Sequence, residues 1–324
     1  MARILTGIQS TGTPHLGNIL GAIKPAIEMS NNGDNESFLF IADMHSLTQI
    51  KDGSVMRENT YSVAATWLAF GLDTAKTVFY RQSDVPECAE LAWYLSCYYP
   101  YSRLALAHSF KDKSDRLEDV NGGLFTYPML MAADILLYDA NFVPVGKDQL
   151  QHLEMTRDVA SRINHQCGEE LLVLPEAIVQ ADTQLILGTD GEKMSKSRNN
   201  FINIFETDKA LKNTINKKVV TDATPLEAPK EPEGAAVFEL FKYVATAKQV
   251  EELAAKLRTG GYGWGHAKKD LLEALIEVFG PAREKYNYFM ENKNELDKVL
   301  DEGAEKARKV AKATLKRLRS QIGY

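Results

Sequence analysis

An α/β fold built on a parallel sheet, followed by a helical C-terminal part, is what this sequence predicts, and three observations predict it. Through residue 205 or so, short β-like runs at 4–8, 37–42, 77–81 and 141–145 alternate with segments of helical apolar spacing, the pattern of a parallel sheet covered by helices. After a connection at 221–235 that holds three prolines, apolar residues recur at helical spacing over 238–258, 268–279 and 281–321. A balance of 44% hydrophobic and 25% charged residues over 324 positions is that of a globular chain with length for one large or two modest domains. The expected division is an α/β unit at 1–205 and a mainly helical unit at 206–324.

Composition excludes several classes. No run reaches the ~18 apolar residues a spanning helix needs, so no membrane partner is expected. The start Met1-Ala-Arg-Ile-Leu5 lacks a long apolar leader with a small-residue cleavage site, which points to the cytoplasm. Cys88, Cys97 and Cys167 have no Cys-x-x-Cys spacing and suggest neither a disulfide framework nor a zinc site. A net charge of −6 argues against a chain coated by nucleic acid; no DNA partner is expected, and any RNA site must be a local basic patch.

The first element is the run from Arg3, an apolar strand that enters Gly7-Ile-Gln-Ser-Thr-Gly-Thr-Pro-His-Leu-Gly-Asn18. Gly7, Gly12 and Gly17 remove Cβ atoms where a backbone turns or approaches a ligand. Ile19, Leu20, Ile23 and Ile27 then recur at helical spacing, which puts Gly17 and Asn18 in a first turn whose free N–H groups and dipole attract an anion. His15, just ahead, has a ring N–H to offer a phosphate oxygen. Pro25 removes the bond to the carbonyl of Gly21 and should kink this helix. The second strand ends in Asp43-Met-His45, and ligands of such sheets bind beyond the carboxyl ends of strands, which makes both polar residues candidates; a satisfied core histidine explains His45 equally well.

A helix over 57–70 packs Tyr61, Ala64, Ala65 and Leu68 on one face and closes at Gly71. Residues 88–101 carry Trp93, Tyr94, Tyr98, Tyr99 and Tyr101, an apolar supply that marks a core or, by preference here, a subunit interface. The mixed-charge stretch 109–123 reads as a solvated loop, although Lys111 and Lys113 are candidates to reach a triphosphate. Phe125-Thr-Tyr-Pro128 opens a helix with the proline in its first turn. Within its apolar run stands Asp134, flanked at helical spacing by Leu130, Met131 and Tyr138. A carboxylate on such a face needs a partner: an arginine elsewhere, a helix end, or a substrate N–H or O–H. The next strand turns at Gly146 directly into a helix. At the C-terminus Lys306, Arg308, Lys309, Lys312, Lys316, Arg317 and Arg319 crowd a helix whose apolar stripe is Ala311, Leu315, Leu318 and Ile322, suited to pack back on the first unit while showing a basic face to RNA or solvent.

Pro14-His15-Leu16-Gly17-Asn18 together with Lys193-Met-Ser-Lys-Ser197 resembles the two signatures of class I aminoacyl-tRNA synthetases, with Leu16 and Asn18 departing from the usual His-Ile-Gly-His. Gly146-x-Asp148-Gln149-x-Gln151-His152-x-Glu154-x-x-Arg157-Asp158, Met131-Ala-Ala-Asp134 and Asp43-x-His45 narrow the resemblance to the bacterial tryptophanyl-tRNA synthetases, in which Glu is common where Lys147 stands here. The resemblance implies a Rossmann-type catalytic unit, an appended helical unit meeting the anticodon region of tRNA(Trp), and a homodimer. It implies that ATP is held by Gln9, Ser10, Thr11, Gly17 and Asn18. Gly146, Lys147 and Asp148 would lie at the ribose, Ile186 on adenine and His15 at the phosphates. Lys193 and Lys196 of the mobile loop, with Met194, Ser195 and Ser197, would stabilise the leaving pyrophosphate together with Mg²⁺. For L-tryptophan it implies Asp134 on the indole N–H, with Gly7, His45, Tyr127, Met131 and Gln149 around it, Gln149 and His15 also serving catalysis. Tyrosyl-tRNA synthetase shares the fold, and a carboxylate accepts from a phenol as well as from an indole; a synthetase-like protein that binds tRNA or nucleotide without charging is the other alternative.

Overall fold

The computed structural model describes residues 1–107, 120–179 and 186–324. Five parallel strands, β1 Arg3–Ile8, β2 Glu36–Ile41, β3 Thr77–Arg81, β4 Phe142–Val145 and β5 Glu176–Val179, lie in the order β3-β2-β1-β4-β5. The α/β class read from the sequence is borne out; β5, whose Glu-Ala-Ile-Val has little β signal, was not anticipated. The strand order reverses between β1 and β4. Six residues of β1 pair in register with β2, whereas Ile4↔Phe142 alone joins β1 to β4, so the carboxyl ends of these two strands part and leave a crevice at the switch point.

The helices of the first part are α1 Leu16–Asn18, α2 Lys24–Asn32, α3 Asp43–Ser46, α4 Gly53–Ala69, α5 Glu87–Tyr98, α6 Tyr101–Leu104, α7 Gly122–Leu136 and α8 Leu150–Cys167. Between α1 and α2, residues Ile19–Ile23 form a π turn. That turn is how Pro25 is accommodated: with no N–H for the carbonyl of Gly21, the ladder widens and the α-helix restarts with the proline in its first turn. At Pro128 the expectation fails. Asn121 caps α7 by accepting from the Leu124 N–H at 3.1 Å, and the proline lies inside the helix. The side-chain cap outweighs the proline signal, and the surrounding core holds the interrupted ladder together.

After 205 come α9 Asp208–Lys218, α10 Ala236–Lys242, α11 Ala247–Thr259, α12 Trp264–Glu291 and α13 Lys293–Ile322. The run 238–258 is thus two helices, and the break expected before Pro281 falls instead at Asn292, which leaves Pro281 inside α12. These helices share one core with α2 and α4: Ile27 and Trp67 belong to the same buried cluster as Leu211, Phe241, Leu271 and Leu300.

Helix α13 covers β3, the edge of the sheet. At Gly303 the two backbones meet so closely that a Cβ would stand 1.7 Å from the Phe79 carbonyl oxygen, and a covered edge cannot template aggregation. The basic run on this helix divides. Arg308 pairs with Glu87, Arg317 with Asp139 and Arg319 with Glu90, so these arginines hold the helix to the first part of the chain. Lys306, Lys309, Lys312 and Lys316 stay exposed, with no ion pair among the described residues. Likewise the aromatic stretch splits, Tyr99 being buried while Trp93 is 67% and Tyr101 76% exposed. Among the described residues no helix is long and apolar enough to cross a membrane. Lys111, Lys113 and most of the 109–123 stretch lie outside the described residues.

Candidate active site

A cavity of about 420 Å³ opens where β1 and β4 part. Thr6, Gly7 and Gln9 form one wall, Val143, Val145, Gly146 and Gln149 the opposite one, and Tyr127, Met131 and Asp134 of α7 close the end with His45. Gly7 is required here: a Cβ would lie 2.5 Å from the ring of Phe40, which completes the wall from β2.

Asp134 is 3% exposed and has no arginine among its described partners. His45 Nε2 lies 2.8 Å from Oδ2, Gln82 Nε2 donates to Oδ1 at 2.8 Å and Oδ2 at 2.9 Å, and the Cys88 thiol donates to Oδ1 at 2.9 Å. His45 is therefore both a buried, satisfied histidine and a wall of the cavity. Burial pushes the Cys88 thiol well up, so it stays a donor. The Tyr127 hydroxyl meets His152 Nε2 at 2.7 Å, and its ring stands edge-on to His45 with centroids 6.2 Å apart. Gln82 and Cys88 escaped the sequence reading. Gln82 follows β3 as Asp43 follows β2, so the same carboxyl-end rule would have singled it out; nothing distinguishes Cys88 before folding.

The glycine-rich loop leads from this cavity to Lys196. Gly12 has φ +120°, and a Cβ there would meet Lys196 Nζ at 3.0 Å, so only glycine lets the ammonium lie over the loop. Lys196 Nζ reaches the Thr11 carbonyl at 3.4 Å, and burial lowers its pKa. Ser10 is fully buried, with N–H and hydroxyl both on Ser46 Oγ at 3.0 and 3.2 Å, and ties the loop to α3.

The N–H groups expected to be free at the start of α1 are engaged. Leu16 N–H reaches the Ile202 carbonyl at 2.9 Å, Asn18 N–H reaches His15 Nδ1 at 3.3 Å, and Gly17 N–H meets only the thioether of Met194 at 3.2 Å, a weak acceptor that a phosphate oxygen readily replaces. Accepting at Nδ1 leaves the His15 proton on Nε2. Burial, aided by the Lys196 charge, pushes the His15 pKa down from 6.5 to about 4, so the ring is neutral at pH 7, with Nδ1 accepting and the Nε2–H left to donate without a charge.

Met194 and Ile186 are buried in the shared core, and Met194 N–H bonds the Ile186 carbonyl at 2.9 Å. Met194 thus anchors the loop, whereas Lys193 and Ser197 are exposed. Asn200, also missed, clamps that loop by accepting from Ser195 N–H at 2.7 Å and donating to Asp190 at 2.7 Å and to the Lys193 carbonyl at 3.0 Å. Ser195 and Ser197 bond each other at 3.0 Å. Beyond the crevice, a Cβ on Gly146 would stand 2.6 Å from Asp148 Oδ1, and Gln149 Nε2 donates to Asp148 at 3.0 Å, with Lys147 exposed at the rim.

His15 has a consequence for stability. The unfolded chain takes up this proton near 6.5 and the folded chain near 4, so between those values the unfolded state holds more protons. The stability is complete above about 6.5 and is lost as pH falls toward 4. Thermal denaturation from pH 7 to 4 should show a shallower decline in His15→Gln than in the native chain; parallel declines would mean that His15 titrates alike in both states.

Comparison with known proteins follows the same lines. A family model described as tRNA synthetases class I (W and Y) matches residues 1–280. A tryptophan–tRNA ligase of Fusobacterium nucleatum is 46% identical over 325 residues, spanning 100% of this chain and 98% of that protein. The crystal structure of a Campylobacter jejuni tryptophanyl-tRNA synthetase complexed with ADP and tryptophan superimposes with a TM-score of 0.96 at 44% identity, covering 99% of this chain and 100% of that one. A tyrosyl-tRNA synthetase from Archaeoglobus fulgidus, at 19% identity and a TM-score of 0.60, shares the fold alone.

Proposed function

Because this chain belongs to the class I tRNA synthetases for tryptophan and tyrosine, we propose that it activates L-tryptophan with ATP, releasing pyrophosphate, and transfers tryptophan from the adenylate to the 3′ end of tRNA(Trp). A buried carboxylate, Asp134, lines the cavity at the switch point with no arginine among its described partners and calls for a donor on the substrate ring, N–H or O–H. The likeness to a tryptophan–tRNA ligase 46% identical over the whole chain favours the indole N–H. Tyr127, Met131 and His45 surround the ring, and Gln149 and Gly7 meet the amino-acid end. The tyrosine reading is supported by shared fold only, and the non-charging reading is opposed by the presence of both Lys193 and Lys196.

The substrate carboxylate is ionised at neutral pH and needs no general base for attack on the α-phosphorus. Catalysis is then positioning and charge stabilisation. Gln9, Thr11, Gly12 and the Gly17 N–H line the path of the nucleotide; the His15 Nε2–H donates to a phosphate oxygen; Lys196, helped by Lys193 as the loop closes, meets the charge that develops on pyrophosphate. Asn18 orients His15, and Gly146, Lys147 and Asp148 bound the ribose end, with Ile186 behind the adenine side and the backbone of Ser195 and Ser197 near the phosphates. The cleft presents cations and N–H donors to the phosphates, and among the described residues no group of three His, Cys, Asp or Glu is arranged to hold a metal. Mg²⁺ would enter with the ATP substrate and would supply further positive charge for the phosphates beside Lys193 and Lys196.

Three further elements belong to the same proposal. The helices after 205 form the tRNA-facing unit, with Lys306, Lys309, Lys312 and Lys316 as the phosphate contacts. The exposed Trp93, Tyr101 and Leu106 form the face joining two copies in a homodimer. The protein works in the cytoplasm. Amino-acid-dependent exchange of pyrophosphate into ATP, run with all twenty amino acids, tests the reading: tryptophan should be the only strong substrate, and exchange with tyrosine or with none would replace it.

A further inference from the structure

Gln82 lies outside the cavity lining yet hydrogen-bonds the Asp134 side chain and the His45 backbone, two residues that line it. It follows β3 directly and is 1% exposed. Its Oε1 accepts from the backbone N–H of Met44 at 3.1 Å and of His45 at 3.4 Å, while Nε2 donates to the two Asp134 oxygens at 2.8 and 2.9 Å. With Oε1 committed to two backbone donors the amide has one orientation, and its N–H always faces the carboxylate. Asp43 secures the turn from the other side, accepting from the Ser83 N–H at 3.0 Å and from the Ser83 hydroxyl. A carboxylate has about four acceptor positions. Gln82, the Cys88 thiol and His45 reach it from three elements and make two contacts on each oxygen, the Gln82 N–H being shared between both, and Asp134 also lines the cavity.

We infer that Gln82 is a specificity-determining positioning residue: by holding the Asp134 carboxyl group in place, it makes the pocket demand an N–H on an aromatic ring without touching the substrate. This rests on the reading that Asp134 accepts from the indole N–H. The groups facing the turn are His45 and Asp43 on α3, Cys88 on α5, Tyr80 on β3 and Tyr138 after α7; burial pushes the Cys88, Tyr80 and Tyr138 protons well up, so these three stay neutral near neutral pH.

Gln82→Glu gives the test, because it swaps the donating nitrogen for an oxygen without changing size. Two carboxylates this close share a proton. While that proton is present its O–H donates to Asp134 as the amide did; once it is lost the two charges repel. In pyrophosphate exchange, KM for tryptophan should therefore rise with pH through a one-proton transition absent from the native chain, by roughly tenfold or more at its upper end. KM for the isostere bearing sulfur in place of the indole N–H, benzothienylalanine, should not follow it. Gln82→Met, which keeps the volume and removes the donor, should raise KM for tryptophan at every pH without the transition, and melting curves of both variants report folding separately. A Gln82→Glu profile parallel to the native one, or an equal effect on the isostere, overturns the inference. Asp134→Asn serves as the control: if it leaves the preference for tryptophan over the isostere intact, the reading of the pocket falls; if it abolishes that preference while Gln82→Glu titrates like the native chain, the role of Gln82 alone falls.

Discussion

Lys196→Ala slows formation of tryptophanyl-adenylate by roughly 10²-fold or more, the scale set by removing one preorganised donor from a developing anion, and leaves tryptophan affinity within a small factor. The asymmetry follows from when the charge appears. Pyrophosphate gains negative charge as the bond to the α-phosphorus breaks, so a cation placed for it acts on the transition state and little on bound amino acid. The structure sharpens this expectation. Nζ lies over Gly12 and beside the Thr11 carbonyl, is partly withdrawn from water, and has no carboxylate partner among the described residues, so its charge is unspent. Single-turnover adenylate formation measures the effect; an unchanged rate would refute the assignment. The same substitution removes the charge that helps depress the His15 pKa, and that pKa should rise.

Asp134→Asn weakens tryptophan binding by about 10²-fold and lowers the melting temperature by several degrees in the same protein. Both losses have one cause. Asp134 accepts from Gln82, Cys88 and His45 within the fold, so an asparagine amide turns an N–H toward at least one existing donor and leaves buried polar groups unsatisfied, at a cost of about 1–3 kcal/mol for each. The indole N–H loses a charged acceptor as well. Internal partnership and substrate recognition therefore coincide in this residue instead of excluding each other, which the sequence, where an arginine partner and a substrate partner stood as alternatives, did not suggest. Phenylalanine brings no ring donor to the carboxylate that lines the cavity and should be rejected strongly; the scale of ~10⁵ is borrowed from the related tyrosine enzyme against phenylalanine. Isothermal titration with tryptophan beside a melting curve checks the prediction. Lost stability with unchanged affinity would remove Asp134 from the substrate site.

Local signals carried a great deal. Gly7, Gly12 and Gly17 announced close approaches because a missing Cβ is a local fact, and the structure supplies what each approaches: Phe40, Lys196 and Met194. Asp43 and His45 stood out because a strand's carboxyl end is visible in the chain. Pro25 foretold an irregular helix, which takes the form of a π turn. Local signals failed where distant contacts outweigh them. Pro128 and Pro281 sit within helices because capping and packing offset their missing N–H groups, and the arginines of the last helix, alike on paper with its lysines, turn to Glu87, Glu90 and Asp139.

The α/β class, the two signature segments and the glycine positions were legible along the chain, since periodicity, turn chemistry and motif order are properties of neighbours, and half of the residues that line the cavity were legible through the family resemblance. What those side chains meet was settled by the fold. Ser10 became a buried tie to Ser46, the first-turn N–H groups found acceptors in Ile202, His15 and Met194, and Gln82 and Cys88 joined Asp134 from two other elements. Hydrogen bonds and burial are made between residues that the fold brings together across tens to hundreds of positions, and a buried polar group has to find its partner there because water no longer supplies one.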